Sequence, residues 1–197
     1  MWGLTASEST INGSLGDKGT VYFIYNYSSE WNNNQEYQIE ERKTINNEID
    51  YLIKQEFKVY VLDGQNGNKA GTKENIICAF ENPDTVAIII SGHGYKTGGI
   101  ATYDSDRLIP EEVKYLTKSP YLELVIFENC YQKGSKKGLS DNLDKWQAAI
   151  GPDVTILGWE DETYVSETKS FNRLGLFDRQ YKNLKYYLKK LNGKNRD

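Results

Sequence analysis

Two chemically versatile side chains each follow a stretch that reads as a buried strand. His93, the only histidine in the chain, stands directly after the apolar run TVAIIIS at 85–91 and the glycine that ends it. Cys130 follows a second apolar run, LELVIFEN at 122–129. A thiol is only slightly ionised at neutral pH, and a nearby imidazole lowers its pKa and accepts its proton. If the two strands are neighbours, these residues predict a thiol nucleophile assisted by an imidazole.

The glycines beside His93 suit acyl transfer, in which negative charge develops on an oxygen that backbone N–H groups stabilise. We expect Gly94 to let the chain turn sharply and to offer an unobstructed N–H. The N–H of Cys130 is the candidate second donor of this oxyanion hole. Gly92, which lacks a side chain, is expected to allow a substrate backbone to approach closely.

Other interpretations of these residues stay open. A histidine or a cysteine at a strand end is often structural, and we interpret Cys78, inside the apolar helical segment IICAF, as a buried structural residue. The glycines at 92–99 also suggest a phosphate loop of a nucleotide-binding α/β domain. Their spacing is not G-x-G-x-x-G, however, and no Lys-Ser/Thr pair follows. The chain also lacks a G-x-S-x-G elbow, which argues against a serine hydrolase.

The elements that must position these residues alternate along the chain. Strands are predicted at 21–27, 57–64, 85–91, 122–129 and 153–159, and helices at 36–56, 73–82, 109–118, 143–151 and from 177 onward. This order predicts an α/β fold: a three-layer αβα sandwich with a mostly parallel central sheet. Residues 1–19 are expected to be a flexible leader or linker, and 20–197 a single domain. In such sheets the working residues gather beyond the carboxyl ends of the central strands.

Composition narrows the class of protein. With 38% hydrophobic and 26% charged residues, the chain can build a globular core, and no apolar run approaches the roughly 18 residues of a membrane span. The net charge of −4 argues against a nucleic-acid partner. One histidine and two separated cysteines do not match a typical zinc site, so no metal is expected. The expected thiol chemistry also needs no organic cofactor.

An apolar block ending in His-Gly, followed by a second block ending in Cys, resembles the caspase-like (clan CD) cysteine peptidases. This group includes caspases, metacaspases, legumain, gingipain and clostripain, and the resemblance covers roughly residues 20–160. It implies a cysteine endopeptidase in which His93 is the catalytic histidine and Cys130 the nucleophile. The N–H groups of Gly94 and Cys130 would form its oxyanion hole. A catalytically inactive caspase-like binding module remains the alternative.

The resemblance also indicates which substrate residue the enzyme would recognise. Glu128 resembles the acid of legumain's Glu-Ala-Cys, which lines the primary specificity pocket. In LGWED (157–161), Trp159 matches the aromatic residue of the caspase Ser-Trp-Arg substrate strand, and Glu160 replaces its arginine. Together with Asp161, these acids would attract Lys or Arg, which implies cleavage after a basic residue. The alternative is that Glu160 and Asp161 form a solvated turn.

Three other parts of the chain suggest specific roles. Asn26, at the end of the first strand, is a candidate to orient the imidazole. The lysine-rich loop at 131–140 lies where many family members are cut during activation, which suggests self-processing. Trp2-Gly3-Leu4 resembles the Asp-Pro-x-Gly-Leu junction that precedes the toxin domain in RHS/YD-repeat polymorphic toxins, although an ordinary disordered terminus would also fit.

The toxin resemblance implies a bacterial effector that is secreted or delivered and acts in the cytoplasm of a target cell. If the chain is not such a toxin domain, we expect a cytoplasmic protein. The partners that fit are a protein substrate and an immunity or activating protein, and neither a nucleic acid nor a membrane is expected as a partner.

Overall fold

The computed structural model describes residues 18–26, 46–64, 67–95, 97–129, 142–158 and 184–194. Strands and helices alternate along these segments as the sequence predicts. In chain order the elements are β1 (Thr20–Asn26), α1 (46–54), β2 (Lys58–Leu62), α2 (Lys73–Glu81), β3 (Thr85–Gly92), β4 (Ile100–Ala101), β5 (Arg107–Leu108), α3 (Pro110–Val113), β6 (Leu124–Asn129), α4 (Asn142–Ile150), β7 (Thr155–Leu157) and α5 (184–188).

Five of the strands form one sheet in the order β2-β1-β3-β6-β7, and every neighbouring pair in it is parallel. The middle strand is β3, and all eight of its residues are buried. A central parallel strand is covered on both faces, which explains why its sequence is a continuous apolar run without alternation. The predicted α/β fold with a parallel central sheet is confirmed.

Helices cover both faces of this sheet. Successive side chains of β3 point to opposite faces, so that Ile88 and Ile90 join one core cluster and Ile89 joins the other. The first cluster contains apolar side chains of α2, α3 and α4: Ile76, Ala79, Phe80, Val113, Trp146, Ala149 and Ile150. The second contains those of α1 and α5: Ile49, Leu52, Leu184 and Leu188. The described elements therefore form the three layers of an αβα arrangement.

Between β3 and α3 the structure differs from the predicted loop. Strands β4 and β5 pair antiparallel as a short hairpin, and Ile100 of β4 also bridges Gly94. Ile100 and Leu108 face the first core cluster and are fully buried. Strands of two residues are too short to show an alternating pattern, which is why the sequence did not reveal them.

Two helix predictions need correction. The helix expected at 109–118 is regular only over Pro110–Val113, because the Lys118 ammonium donates to the carbonyls of Val113, Lys114 and Leu116 and closes the chain into a turn. The expectation that Cys78 is buried is wrong, since its side chain is exposed. Ile76 and Phe80 of α2 face the sheet, and a helix turns about 100° per residue, so position 78 points outward.

The other strands and helices begin and end within a few residues of the positions predicted from the sequence. The amino-terminal part of the helix expected at 36–56, and the start of the one expected from 177, lie outside the described residues, as do residues 1–17 of the leader expected at 1–19. The last two residues of that leader are described and bound to the domain: the Lys18 N–H donates to the Glu56 carbonyl, and the Gly19 carbonyl accepts the Lys58 N–H. None of the helices in the described segments is long and apolar enough to cross a bilayer.

We predict that Gly92→Ala destabilises the fold more than Gly151→Ala. Both glycines have positive φ angles, +152° and +134°, so a side chain strains the backbone at either position, at a cost of about 1–3 kcal/mol. Only at Gly92 would the added Cβ also meet a neighbour, 2.9 Å from Cβ of Asn26. This overpacking adds roughly 1–3 kcal/mol. Urea unfolding of both variants measures the difference, and equal losses of unfolding free energy would contradict the prediction.

Candidate active site

The two strands that precede His93 and Cys130 are neighbours, as the sequence argument required. Strands β3 and β6 pair in register from Ala87 opposite Leu124 to Gly92 opposite Asn129. His93 follows Gly92 in the chain, and Cys130 follows Asn129. Because the strands are parallel, both residues follow strand ends at the same edge of the sheet.

Several predicted site residues lie outside the described residues. These are Cys130 with its N–H group, Trp159, Glu160, Asp161 and the proposed processing loop at 131–140. The described part of the site consists of the ends of β1, β3 and β6 and of the hairpin that follows His93.

Sheet order favours a ligand site at this edge. The chain leaves β1 toward β2 on one side and continues from β3 toward β6 and β7 on the other. In open α/β sheets a crevice forms at the carboxyl ends of the two strands where the order reverses. Here those strands are β1 and β3, which end at Asn26 and Gly92. His93 therefore directly follows one of the two strands at which the order reverses.

Beyond His93 the chain stays extended, and the expectation of a sharp turn at Gly94 is wrong. The His93 carbonyl accepts the Ala101 N–H at 2.9 Å, and Gly94 pairs with Ile100. The turn comes later, where the Gly98 N–H donates to the Tyr95 carbonyl. Antiparallel pairing of this kind directs the Gly94 N–H away from Ile100. This N–H has no hydrogen-bond partner among the described residues, as an oxyanion donor requires.

Asn26 occupies the space next to Gly92 that we expected a substrate backbone to use. An ideal Cβ on Gly92 would lie 2.9 Å from Cβ of Asn26. The Asn26 side chain is buried, and its amide nitrogen donates to the Ala101 carbonyl at 2.9 Å. Its amide oxygen has no hydrogen-bond partner among the described residues. Asn26 thus holds the hairpin strand that pairs with His93, and its predicted role in orienting the imidazole stays a prediction.

A second anchor holds the tip of the same hairpin. The Trp146 indole N–H donates to the Gly98 carbonyl at 2.8 Å, and its ring packs on Phe127 with centroids 4.5 Å apart. Trp146 belongs to α4 and Phe127 to β6, the two elements on either side of Cys130 in the sequence. The segment after His93 and the elements around Cys130 are therefore joined through one buried indole.

Partial burial lowers the pKa of His93 below its ordinary value, because water is removed from the charged imidazolium. The imidazole is therefore neutral at physiological pH. A neutral imidazole accepts a proton from a thiol, which is the role expected of it here.

Glu128, the predicted substrate-binding acid, lies at the same edge. It stands opposite Ser91 in the ladder, one position before the strand ends, and Ser91 stands opposite Tyr25 of β1. Its side chain is half-buried. The described part of the chain thus places one carboxylate close to the end of the strand that leads to Cys130.

The sequence analysis did not identify Arg107, a cationic residue on the hairpin that follows His93. Arg107 of β5 places its guanidinium over the Tyr95 ring, 5.0 Å from the centroid, and donates to the Thr97 hydroxyl. The sequence gave no reason to connect these three residues, because the hairpin that joins them was not predicted. In the described segments no group of three His, Cys, Asp or Glu side chains is arranged to hold a metal ion.

Comparison with known proteins adds no family assignment. No protein-family model matches the chain, and no curated protein sequence matches it. The functional interpretation therefore depends on the chemistry of the residues at the carboxyl edge.

We predict that the His93 imidazole titrates below pH 6.5 in the folded protein. Since the unfolded chain then binds the proton more tightly, the free energy of unfolding falls as the pH drops through about 6.5 toward the folded pKa. NMR of the single imidazole Cε1–H measures the pKa directly. His93→Gln should remove this part of the pH dependence of stability, and a folded pKa at or above 6.5 would contradict the prediction.

Proposed function

We propose that this chain is a cysteine endopeptidase in which Cys130 is the nucleophile and His93 carries out the proton transfers. The observation that carries the proposal is the parallel register of β3 and β6, in which Gly92 stands opposite Asn129. The residues that follow this pair are an imidazole and a thiol. This pair is the minimum required for thiol-based acyl transfer.

The proposed reaction uses groups with the properties described above. The neutral imidazole of His93 takes the proton from the Cys130 thiol, and the thiolate adds to the scissile carbonyl. The N–H of Gly94, which has no partner among the described residues, stabilises the oxyanion together with that of Cys130. His93 then gives its proton to the leaving amine as the C–N bond breaks. Water, activated by the same imidazole, hydrolyses the thioester and regenerates the thiol.

The substrate proposed is a protein cleaved after Lys or Arg. Glu128 supports this preference, because a half-buried carboxylate at the strand end attracts a basic side chain and disfavours an acidic one. Trp159, Glu160 and Asp161 complete the proposed pocket through the caspase-like resemblance. The same resemblance carries the proposal of a delivered bacterial effector with an immunity or activating partner and with self-processing at 131–140.

The rival function is a catalytically inactive module of the same fold that binds a partner. Both functions are compatible with the described fold, but they predict different reactivities for the Cys130 thiol. A thiol assisted by a neutral imidazole loses its proton as it attacks and reacts fast, whereas an unassisted thiol reacts slowly near neutral pH. The exposed Cys78 provides an ordinary thiol within the same molecule for comparison.

We predict that iodoacetamide at pH 7 alkylates Cys130 at least about tenfold faster than Cys78, because the neutral His93 imidazole takes the thiol proton as the sulfur attacks, an assistance that is typically worth about 10²–10⁴-fold. In His93→Ala the rate at Cys130 should fall to that at Cys78. Peptide mass spectrometry measures both sites in one sample, and Cys78→Ser checks that labelling at one site does not affect the other. Equal rates in the wild-type protein would favour the inactive module.

We predict that fluorogenic peptides with Arg or Lys before the scissile bond are cleaved, and that those with Asn or Asp are not. Glu128→Gln should lower kcat/KM for the Arg peptide roughly 10- to 100-fold, the range expected for losing a charged hydrogen bond. Glu81→Gln, which changes an exposed carboxylate at the end of α2, is the matched control and should have no effect. Turnover of the Asp peptide alone would refute the acidic pocket.

A further inference from the structure

The hairpin after His93 presents one face toward the protein core and the other away from it. Ile100 and Leu108 form one cross-strand pair and are fully buried. Ala101 and Arg107 form the next pair and, by strand alternation, belong to the opposite face. The Ala101 N–H donates to the His93 carbonyl, which sets His93 beside Ala101.

His93, Ala101 and Arg107 are therefore aligned across three adjacent strands. The outer two Cα atoms are about 10 Å apart, twice the usual strand spacing. From this row the Arg107 side chain extends toward the tip of the hairpin, where it lies against Thr97, Gly99 and Tyr95. Arg107 thus lies on the face of the hairpin that also carries Ala101, the residue beside His93.

The Arg107 guanidinium has no carboxylate partner within the described segments. One of its terminal nitrogens donates to the Thr97 hydroxyl, while its Nε is buried without any hydrogen-bond partner among those residues. The adjacent acid does not neutralise it. Asp106 pairs with Lys73 at 3.3 Å, and its other oxygen accepts the backbone N–H of Arg107.

The surroundings hold the guanidinium flat against the hairpin. The Tyr95 ring lies 5.0 Å from it, and an ideal Cβ on Gly99 would come within 2.2 Å of the Arg107 Nε. Only glycine at 99 leaves room for the guanidinium in this position. A fixed, planar set of donors is what two-point recognition of a carboxylate requires. The buried Nε lies against Gly99, so a ligand carboxylate is bound through the terminal nitrogens, one of which already donates to the exposed Thr97 hydroxyl.

We propose that Arg107, assisted by Thr97, binds the carboxylate of an Asp or Glu side chain in the peptide substrate. This inference rests on the proposed endopeptidase and specifies its substrate further. Glu128 at the end of β6 and Arg107 in β5 carry opposite charges on two different elements. The substrate is accordingly a peptide segment with a basic residue before the scissile bond and an acidic residue at another position.

Fluorogenic peptide pools test the proposal, with Arg fixed before the scissile bond and each other position varied in turn. The wild-type protein should prefer Asp or Glu over Asn or Gln at one position by about 10- to 100-fold in kcat/KM. Arg107→Gln should abolish this preference, Arg107→Lys should retain part of it, and Arg107→Glu should replace it with a preference for Lys. Urea unfolding of each variant checks that it is folded.

Lys190→Gln is the matched control, because Lys190 lies over the Tyr186 ring at 4.1 Å in the carboxyl-terminal segment and has the same kind of contact. It should keep the full preference for the acidic residue. Loss of that preference in Lys190→Gln, or no preference in the wild-type protein while peptides are cleaved, would overturn the role of Arg107.

Carboxylate binding at Arg107 can also be measured without any peptide cleavage. The Arg107 Nε–H signal, observed by NMR, should shift on titration with glutarate and not with the uncharged glutaramide. A shift without cleavage of any peptide would refute the endopeptidase and leave the carboxylate site standing. Cleavage without an acidic preference and without a shift would refute the carboxylate site and leave the endopeptidase standing.

Discussion

The parallel pairing of β3 with β6 is the constraint on which the rest of this structure depends. β3 is buried along its whole length, and its hydrogen-bond ladder fixes which residue of β6 stands beside each of its own. Parallel strands end at the same edge, so the polar residues that follow two apolar runs are brought to one place. Slipping this register by one residue would exchange the two faces of β6 and move Phe127 away from the Trp146 ring on which it packs, so the specific packing of each face enforces the register.

Among the described residues, two side-chain hydrogen bonds to backbone carbonyls organise this edge. Asn26 donates to the Ala101 carbonyl, and Trp146 donates to the Gly98 carbonyl. Both bonds hold the hairpin that continues from His93, one from β1 and one from α4. The imidazole is thereby connected to a rigid sheet on one side and to the helix after Cys130 on the other. Such support is what a reactive pair needs, because small displacements of reacting groups cost large factors in rate.

Opposite charges on this surface give the proposed enzyme a basis for selectivity. A carboxylate stands at the end of β6, and an arginine without a carboxylate partner in the described segments stands on the hairpin. A charge of either sign in the substrate is therefore favoured at one position and disfavoured at the other. Partial burial strengthens both effects, because charges that are shielded from water interact more strongly than fully solvated ones.

The sequence by itself determined the α/β class, the elements that carry the site and the candidate pair His93 and Cys130. It could do so because continuous apolar runs and helical periodicity are local properties, visible within about 10 residues. Only the tertiary structure decided the strand order, the hairpin after His93 and the outward position of Cys78. It also brought Asn26 to Ala101, 75 positions away, and Arg107 to Tyr95. These contacts depend on which face of each element meets the sheet, and two-residue strands and long-range hydrogen bonds leave no periodic pattern in the chain.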